Sequence, residues 1–304
     1  MNRTSYFFIS IVMLLLQTTD GFAQKNLLNK IIVDAGHGGT DVGARGKYST
    51  EKEISLQVSM KLVKALQQEL PGIEIVPTRT TDIFHSPPTK ANIANFNKGD
   101  LFVSIHCNAA PPTKRSELTG YKTQVYYTGK GKKRKKHTRK VPQYRTWTVP
   151  NAARGTETYI WGAHKTDQKE AAMRENESLY LDSATANFVK DFDPNSPEKM
   201  ILYSLKTQQY FGRSANLALT IEEEFVRVGR ISRQAQQRQK GIWVLQAVAM
   251  PSVLIELGFI SNPQEEDYLN SEKGQAEIVE CIVRAIKSYK SSLEKPGAQN
   301  VRAK

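Results

Sequence analysis

Two histidines at strand ends and two glutamates, one opening a helix and one closing a strand, are the residues of this 304-residue chain whose types and spacing could do chemistry together. His37 follows the β-branched run Ile31, Ile32, Val33 and sits among Gly36, Gly38 and Gly39. A central strand thus delivers an imidazole into a turn whose backbone can approach closely whatever the ring holds. His106 ends a second apolar run, LFVSIH. Two such strands in a parallel sheet would bring both rings to the carboxyl edge, where open α/β sheets bind ligands. A carboxylate comes from the next helix, where Glu51 and Glu53 compete. Thr50 and Glu53 fit a capping box, which occupies Glu53 with backbone amides and leaves Glu51 to point back toward the sheet edge. Two imidazoles and one carboxylate form the ligand set of a catalytic zinc site with its fourth position open. Such a site needs a base for the water proton, and Glu256, at the end of MPSVLIE beside Gly258, is placed to be one. Each residue also has a structural role open to it, His37 as a hydrogen-bonded strand exit and Glu256 as a capped or salt-bridged strand end.

The elements that must position these residues follow from periodicity. After the first strand and a Gly-rich turn through Gly46, Ile54, Val58, Leu62 and Leu66 mark a helix over residues 51–70. Strands are expected at 73–78 and 101–106, with a helix over 91–97 between them, and the sheet resumes at 250–256. This alternation predicts an α/β domain with a mostly parallel, twisted sheet of about six strands and helices on both faces. A closing amphipathic helix spans 271–289, with Ile278, Ile282 and Ile286 on one face. Cys107 and Cys281 could form a disulfide in an oxidising compartment, but Cys107, beside His106 in a run that reads as a buried strand, is expected to be a buried thiol outside any disulfide.

Two insertions interrupt this plan. Residues 111–153 are polar, basic and turn-rich, a long loop or a β-ribbon around 121–128, and between Lys130 and Lys140 the run KGKKRKKHTRK holds eight lysines and arginines. Residues 166–192, after a strand-like stretch at 156–161, read as helical. A pair of helices then leads back, the first capped by Ser196 before Pro197 and the second marked by Leu217, Ile221 and Phe225. At the amino terminus, Arg3, an apolar stretch over residues 6–16 and the small residues Gly21 and Ala23 read as a secretory leader, residues 1–23, cut after Ala23. Residues 28–290 would then form the exported domain, with a disordered tail at 295–304. The net charge of +13 points to anionic partners, which outside the cytoplasm means envelope polymers or lipid head groups more readily than nucleic acid.

VDAGHGG, the pair Glu51 and Lys52, SIHCNA over residues 104–109 and PSVLIELGFISN over 251–262 together resemble the zinc-dependent N-acetylmuramoyl-L-alanine amidase family, in the right order across the chain. The resemblance implies one Zn2+ held by His37, Glu51 and His106, Glu256 as catalytic glutamate, and hydrolysis of the amide between N-acetylmuramic acid and L-alanine in peptidoglycan. It also implies a bacterial periplasm or cell envelope as the working place. The matched TR and SIHCNA motifs make Arg79 and Asn108 candidate substrate-binding residues. Lys90 stands where the family usually shows an arginine ahead of the helix carrying Ala91 and Asn92, which keeps charge but loses the bidentate fork. The helical insertion resembles the segment that, in cell-division members, blocks the zinc with a glutamate until an activator protein displaces it; Glu175 and Glu177 in RENES are the candidates. Competing readings are a zinc peptidase acting on stem or other extracellular peptides, and a catalytically silent envelope-binding protein.

Overall fold

A computed structural model of the chain describes residues 28–162, 197–237 and 242–294. The leader 1–23, the inserted segment 166–192 with Glu175 and Glu177, the Ser196 cap and the tail 295–304 lie outside the described residues.

Ile31, Ile32 and Val33 belong to β1 (Lys30–Ala35), which leads through α1 (Glu51–Glu69) to β2 (Glu74–Pro77), then through α2 (Pro87–Phe96) to β3 (Leu101–Asn108). A two-stranded ribbon follows, β4 (Thr113–Thr128) and β5 (Lys135–Val149), before β6 (Thr156–Ile160) re-enters the sheet. The chain continues as α3 (Pro197–Arg227), β7 (Ser232–Gln237), α4 (Trp243–Ala247), β8 (Ser252–Phe259), α5 (Pro263–Asn270) and α6 (Glu272–Glu294). The sheet order is β2-β1-β3-β8-β6-β7. Strands β2, β1, β3 and β8 are parallel, β6 is antiparallel to β8, and β7 runs parallel to β6. The expected mostly parallel six-stranded α/β sheet is therefore what forms.

All eight residues of β3 and of β8 are buried, as a parallel strand covered on both faces requires. Alternation sorts their side chains. Ile31, Val33, Val103, Ile105 and Ile255 pack in one apolar cluster with residues of α1, α3 and α6. Ile32, Phe102 and Leu254 turn to the other face, against α2 and the Ile242–Val248 segment that contains α4. Because β1 is followed by β2 on one side and β3 on the other, the strand order reverses between β1 and β3. A crevice opens there at the carboxyl edge, the place where ligands bind in open α/β sheets.

Three sequence expectations are corrected, and one strand is added. The pair of helices expected after residue 196 is one helix of 31 residues, since nothing in 197–227 breaks the pattern. Lys90 lies inside α2 rather than ahead of it, because Ser86 caps this helix and accepts from the Thr89 amide. Of the long loop and the β-ribbon around 121–128 expected for the insertion at 111–153, the ribbon is what forms, and it extends further, paired from Thr113↔Val149 out to Thr128↔Lys135. β7 was not expected, because SRQAQQ is a polar, partly exposed edge strand with no apolar alternation. Cys107 and Cys281 are buried and not joined by a disulfide.

Candidate metal centre

The turn after β1 is built to aim His37. Its residue adopts φ 55, and Gly38 and Gly39 follow at φ 133 and 56. Left-handed backbone is costly for a residue with a side chain and free for glycine. Lys52 and Asp82 clamp this turn: the Lys52 ammonium donates to Gly39 O (3.0 Å) and Asp82 (2.6 Å), and the Gly39 amide donates to Asp82 (2.8 Å). Beneath it, Asp34 is fully buried and accepts from Thr78 and Ser104 hydroxyls, both at 2.6 Å, with the Lys90 ammonium at 3.2 Å. Burial works to raise the Asp34 carboxyl, but the Lys90 charge and the two hydroxyls hold it below its ordinary range.

Glu51 occupies the first position of α1. Glu53 accepts from both the Thr50 amide (3.0 Å) and the Thr50 hydroxyl (2.7 Å), so it closes the helix start. Glu51, in contrast, reaches over the sheet edge. One oxygen accepts from the Ala44 amide at 2.7 Å and lies 3.2 Å from His37 Nε2. The other accepts from the Cys107 amide and meets His106 Nδ1, both at 2.9 Å. Burial opposes ionisation of Glu51, yet the two imidazoles hold its carboxyl well below the usual carboxylate range. The two imidazoles cross edge to face, with centroids 5.0 Å apart.

The donor set fits a metal ion. His37, Glu51 and His106 each offer a ligand atom, and these atoms lie within 4.8 Å of one another. The neighbouring glycines leave the space these side chains need. A Cβ on Gly43 would stand 2.6 Å from both the Glu51 carboxylate and the His37 ring, and one on Gly36 would stand 2.6 Å from the His106 ring. His37 Nδ1 meets Asp41 at 2.7 Å, the carboxylate–histidine contact that orients metal-binding imidazoles. His37, Asp41, His106, Asp34, His85 and Lys90 line a small recess at this edge.

Glu256 comes from the next strand. In register it is the partner of His106 on β3 and of Glu157 on β6. Register partners leave the same face of a sheet, so His106, Glu256 and Glu157 form a row with a strand spacing of about 4.8 Å between neighbours. Glu256 is fully buried.

A family model described as N-acetylmuramoyl-L-alanine amidase matches residues 31–288. The chain belongs to the N-acetylmuramoyl-L-alanine amidase family. It is 29% identical over 262 residues to N-acetylmuramoyl-L-alanine amidase AmiC of Escherichia coli O6:H1, covering 85% of this chain and 52% of that protein. It is 27% identical over 260 residues to a putative N-acetylmuramoyl-L-alanine amidase of Buchnera aphidicola, covering 85% of this chain and 95% of the other. The chain thus spans about half the length of AmiC, and nearly all of the Buchnera protein. Among solved structures, the N-acetylmuramoyl-L-alanine amidase of Clostridium difficile 630 superimposes with a TM-score of 0.53 at 25% identity, over 87% of this chain and 97% of that one.

Within this amidase fold, the two residues offered by the TR and SIHCNA motifs both have partners in the protein. Arg79 is 2% exposed. Its guanidinium donates to the carbonyls of Ala35 (3.2 Å), Gly36 (2.8 Å), Lys52 (2.8 Å) and Thr81 (3.1 Å). It braces the His37 turn against α1 rather than facing solvent. Asn108 donates to Glu157 at 2.9 Å. Glu157 also accepts from the Tyr159 hydroxyl, and from Arg233 Nε at 2.5 Å. Asp41, Glu157 and Arg233 were missed by sequence reasoning. Glu157 in TETY was detectable as a carboxylate on a strand facing the same edge, whereas Asp41 and Arg233 lie in irregular or polar segments with no period to flag them.

Proposed function

We propose that this chain is an N-acetylmuramoyl-L-alanine amidase that hydrolyses the amide between N-acetylmuramic acid and L-alanine in peptidoglycan. The observation that carries the reading is the convergence of His37, Glu51 and His106, with Glu256 in the adjacent register position, in a chain of this family. His37, Glu51 and His106 would hold one Zn2+ per chain, since imidazole with carboxylate suits that ion. Lewis acidity toward water and toward the scissile carbonyl is what such an ion supplies when bound. Glu256 then takes the proton of the attacking water and returns it to the leaving nitrogen of L-alanine. Asp41 keeps the His37 ring turned with Nε2 toward Glu51, and Asp34, Lys90 and Arg79 hold the turn that carries it.

The same reading places residues 28–290 as the catalytic domain behind a leader at 1–23, which exports the chain to a bacterial envelope for wall remodelling or daughter-cell separation. Its inserted segment 166–192 acts as a plug through Glu175 or Glu177, relieved by an activator protein, and its basic run between Lys130 and Lys140 engages anionic envelope polymers. Metal analysis combined with mass spectrometry of digested peptidoglycan tests the central claim. Free stem peptides beginning at L-alanine, with one zinc per chain, are expected. Cleavage within the stem would make the protein a peptidase, and intact peptidoglycan with metal bound would make it a binding protein.

A further inference from the structure

The β4–β5 ribbon holds nearly all of the chain's charge imbalance. Residues 113–149 carry twelve lysines and arginines against one acid, Glu117, which is eleven of the net +13. At about 3.3 Å per residue its strands reach roughly 50 Å. The ribbon is rooted at the rim of the candidate metal centre, since β4 follows β3, which carries His106 and Asn108, and β5 leads into β6, which carries Glu157. Asn151 ties that root by donating to Pro111 O, and Asn262 by donating to Ala153 O, both at 3.0 Å.

Charge and aromatic rings occupy both faces. Partners across an antiparallel pair project to the same side, so Tyr121 and Tyr127 share one face with Lys136 and Lys140, while Lys122 and Tyr126 share the other with Lys135 and Arg139. Arg134 lies 4.0 Å above the Tyr127 ring, and Arg139 lies 5.7 Å from the centre of Tyr126. Tyr121 and Tyr144 are 62% and 59% exposed. A planar lipid surface would meet one face and leave the other face's cations in water. A mesh of carboxylate-bearing glycan–peptide strands surrounds a narrow rod and reaches both.

We propose that the ribbon is a gripping arm for the glycan–peptide strands of peptidoglycan, binding stem-peptide carboxylates on its cations and sugar faces on its tyrosines, and so holding the strand at the mouth of the site. The inference rests on the reading of the chain as a peptidoglycan amidase. Many weak, exposed contacts add through effective concentration and fade with salt.

The test uses the full chain carrying Glu256→Ala, sedimented with insoluble peptidoglycan. Binding is expected at low ionic strength, with release at about 0.5 M salt, where the Debye length is a few ångströms. Changing Lys130, Lys132, Lys133, Lys135, Lys136 and Lys140 together to Gln should weaken sedimentation at least about tenfold. In the otherwise unaltered chain, the same six changes should leave hydrolysis of a soluble muramoyl-peptide fragment unchanged, which also checks folding, while slowing that of insoluble peptidoglycan. A second variant, Tyr121→Ser with Tyr144→Ser, should lose a smaller part of the binding, and that loss should resist salt. Sedimentation unaffected by the six changes would overturn the arm. So would tighter binding to vesicles of anionic phospholipid than to peptidoglycan. If the muramoyl–L-alanine bond stays intact in both substrates while ribbon-dependent sedimentation persists, the activity reading falls and the arm stands.

Discussion

The sheet edge and the ribbon leave β3 within a few residues of each other and use charge in opposite ways. At the edge, the carboxylates nearest the two imidazoles are buried and held by several partners at once: Glu51 by two backbone amides and two imidazoles, Asp34 by two hydroxyls and Lys90. In the ribbon, most residues are exposed, and individual cations have few fixed partners beyond contacts such as Arg139 with Gln124 at 2.8 Å. A buried charge without its partner is expensive, whereas an exposed one is solvated whether or not it is paired. One region therefore depends on single residues and the other on their number.

Substitutions can break this contrast, and the largest effects belong to the edge. Glu51→Ala should reduce the metal content from about one ion per chain to near none and abolish hydrolysis, read by metal analysis of the dialysed protein; retained metal would remove Glu51 from the ligand set. Glu256→Ala should keep the metal and lose about 10²–10⁴-fold in rate, measured on a soluble muramoyl-peptide fragment. Lys90→Met, which strands the buried Asp34 charge, should destabilise by about 3–5 kcal/mol in denaturant unfolding at neutral pH. Its pH dependence has a definite sign. In the parent, the depressed carboxyl of Asp34 adds stability above its ordinary value of 3.8, which is lost as pH falls through the lower folded value. Without Lys90, burial loses its largest opponent and the carboxyl should move up, so the penalty should shrink as pH drops toward about 4.

Smaller effects sharpen the boundary between the regions. Arg233 stands between them, 44% exposed in its side chain yet bonded to a Glu157 that is 4% exposed. Arg233→Ala should cost about tenfold in kcat/KM, or about 1.4 kcal/mol, with metal content unchanged. Lys122→Gln, a single change in the ribbon, should alter stability by less than about 0.5 kcal/mol and leave fragment hydrolysis as it was. A large effect from that change alone would show that the ribbon, too, works through individual fixed contacts.

Legibility in the sequence followed burial and periodicity. The apolar runs ending at His37, His106 and Glu256 could be read because buried parallel strands have few alternatives, and Thr50 with Glu53 separated two neighbouring glutamates by their capping chemistry. The ribbon's length could not be read, since a strand pair exposed on both faces leaves no alternation to follow. α2 starts before the expected 91–97, because Pro87 and Pro88, at the first turn of a helix capped by Ser86, cost no hydrogen bond.

The sequence by itself determined the strands, the helix start and four residues able to act together, because local pattern and residue chemistry suffice for those. Only the tertiary structure decided which groups face one another. The reversal of strand order between β1 and β3 opens the crevice, and the register of β3, β8 and β6 sets His106, Glu256 and Glu157 in one row. Arg79 became a buried brace and Asp41 the partner of His37 for the same reason: hydrogen bonds between residues far apart in the chain, or within an irregular turn, exist only once the backbone has closed around them.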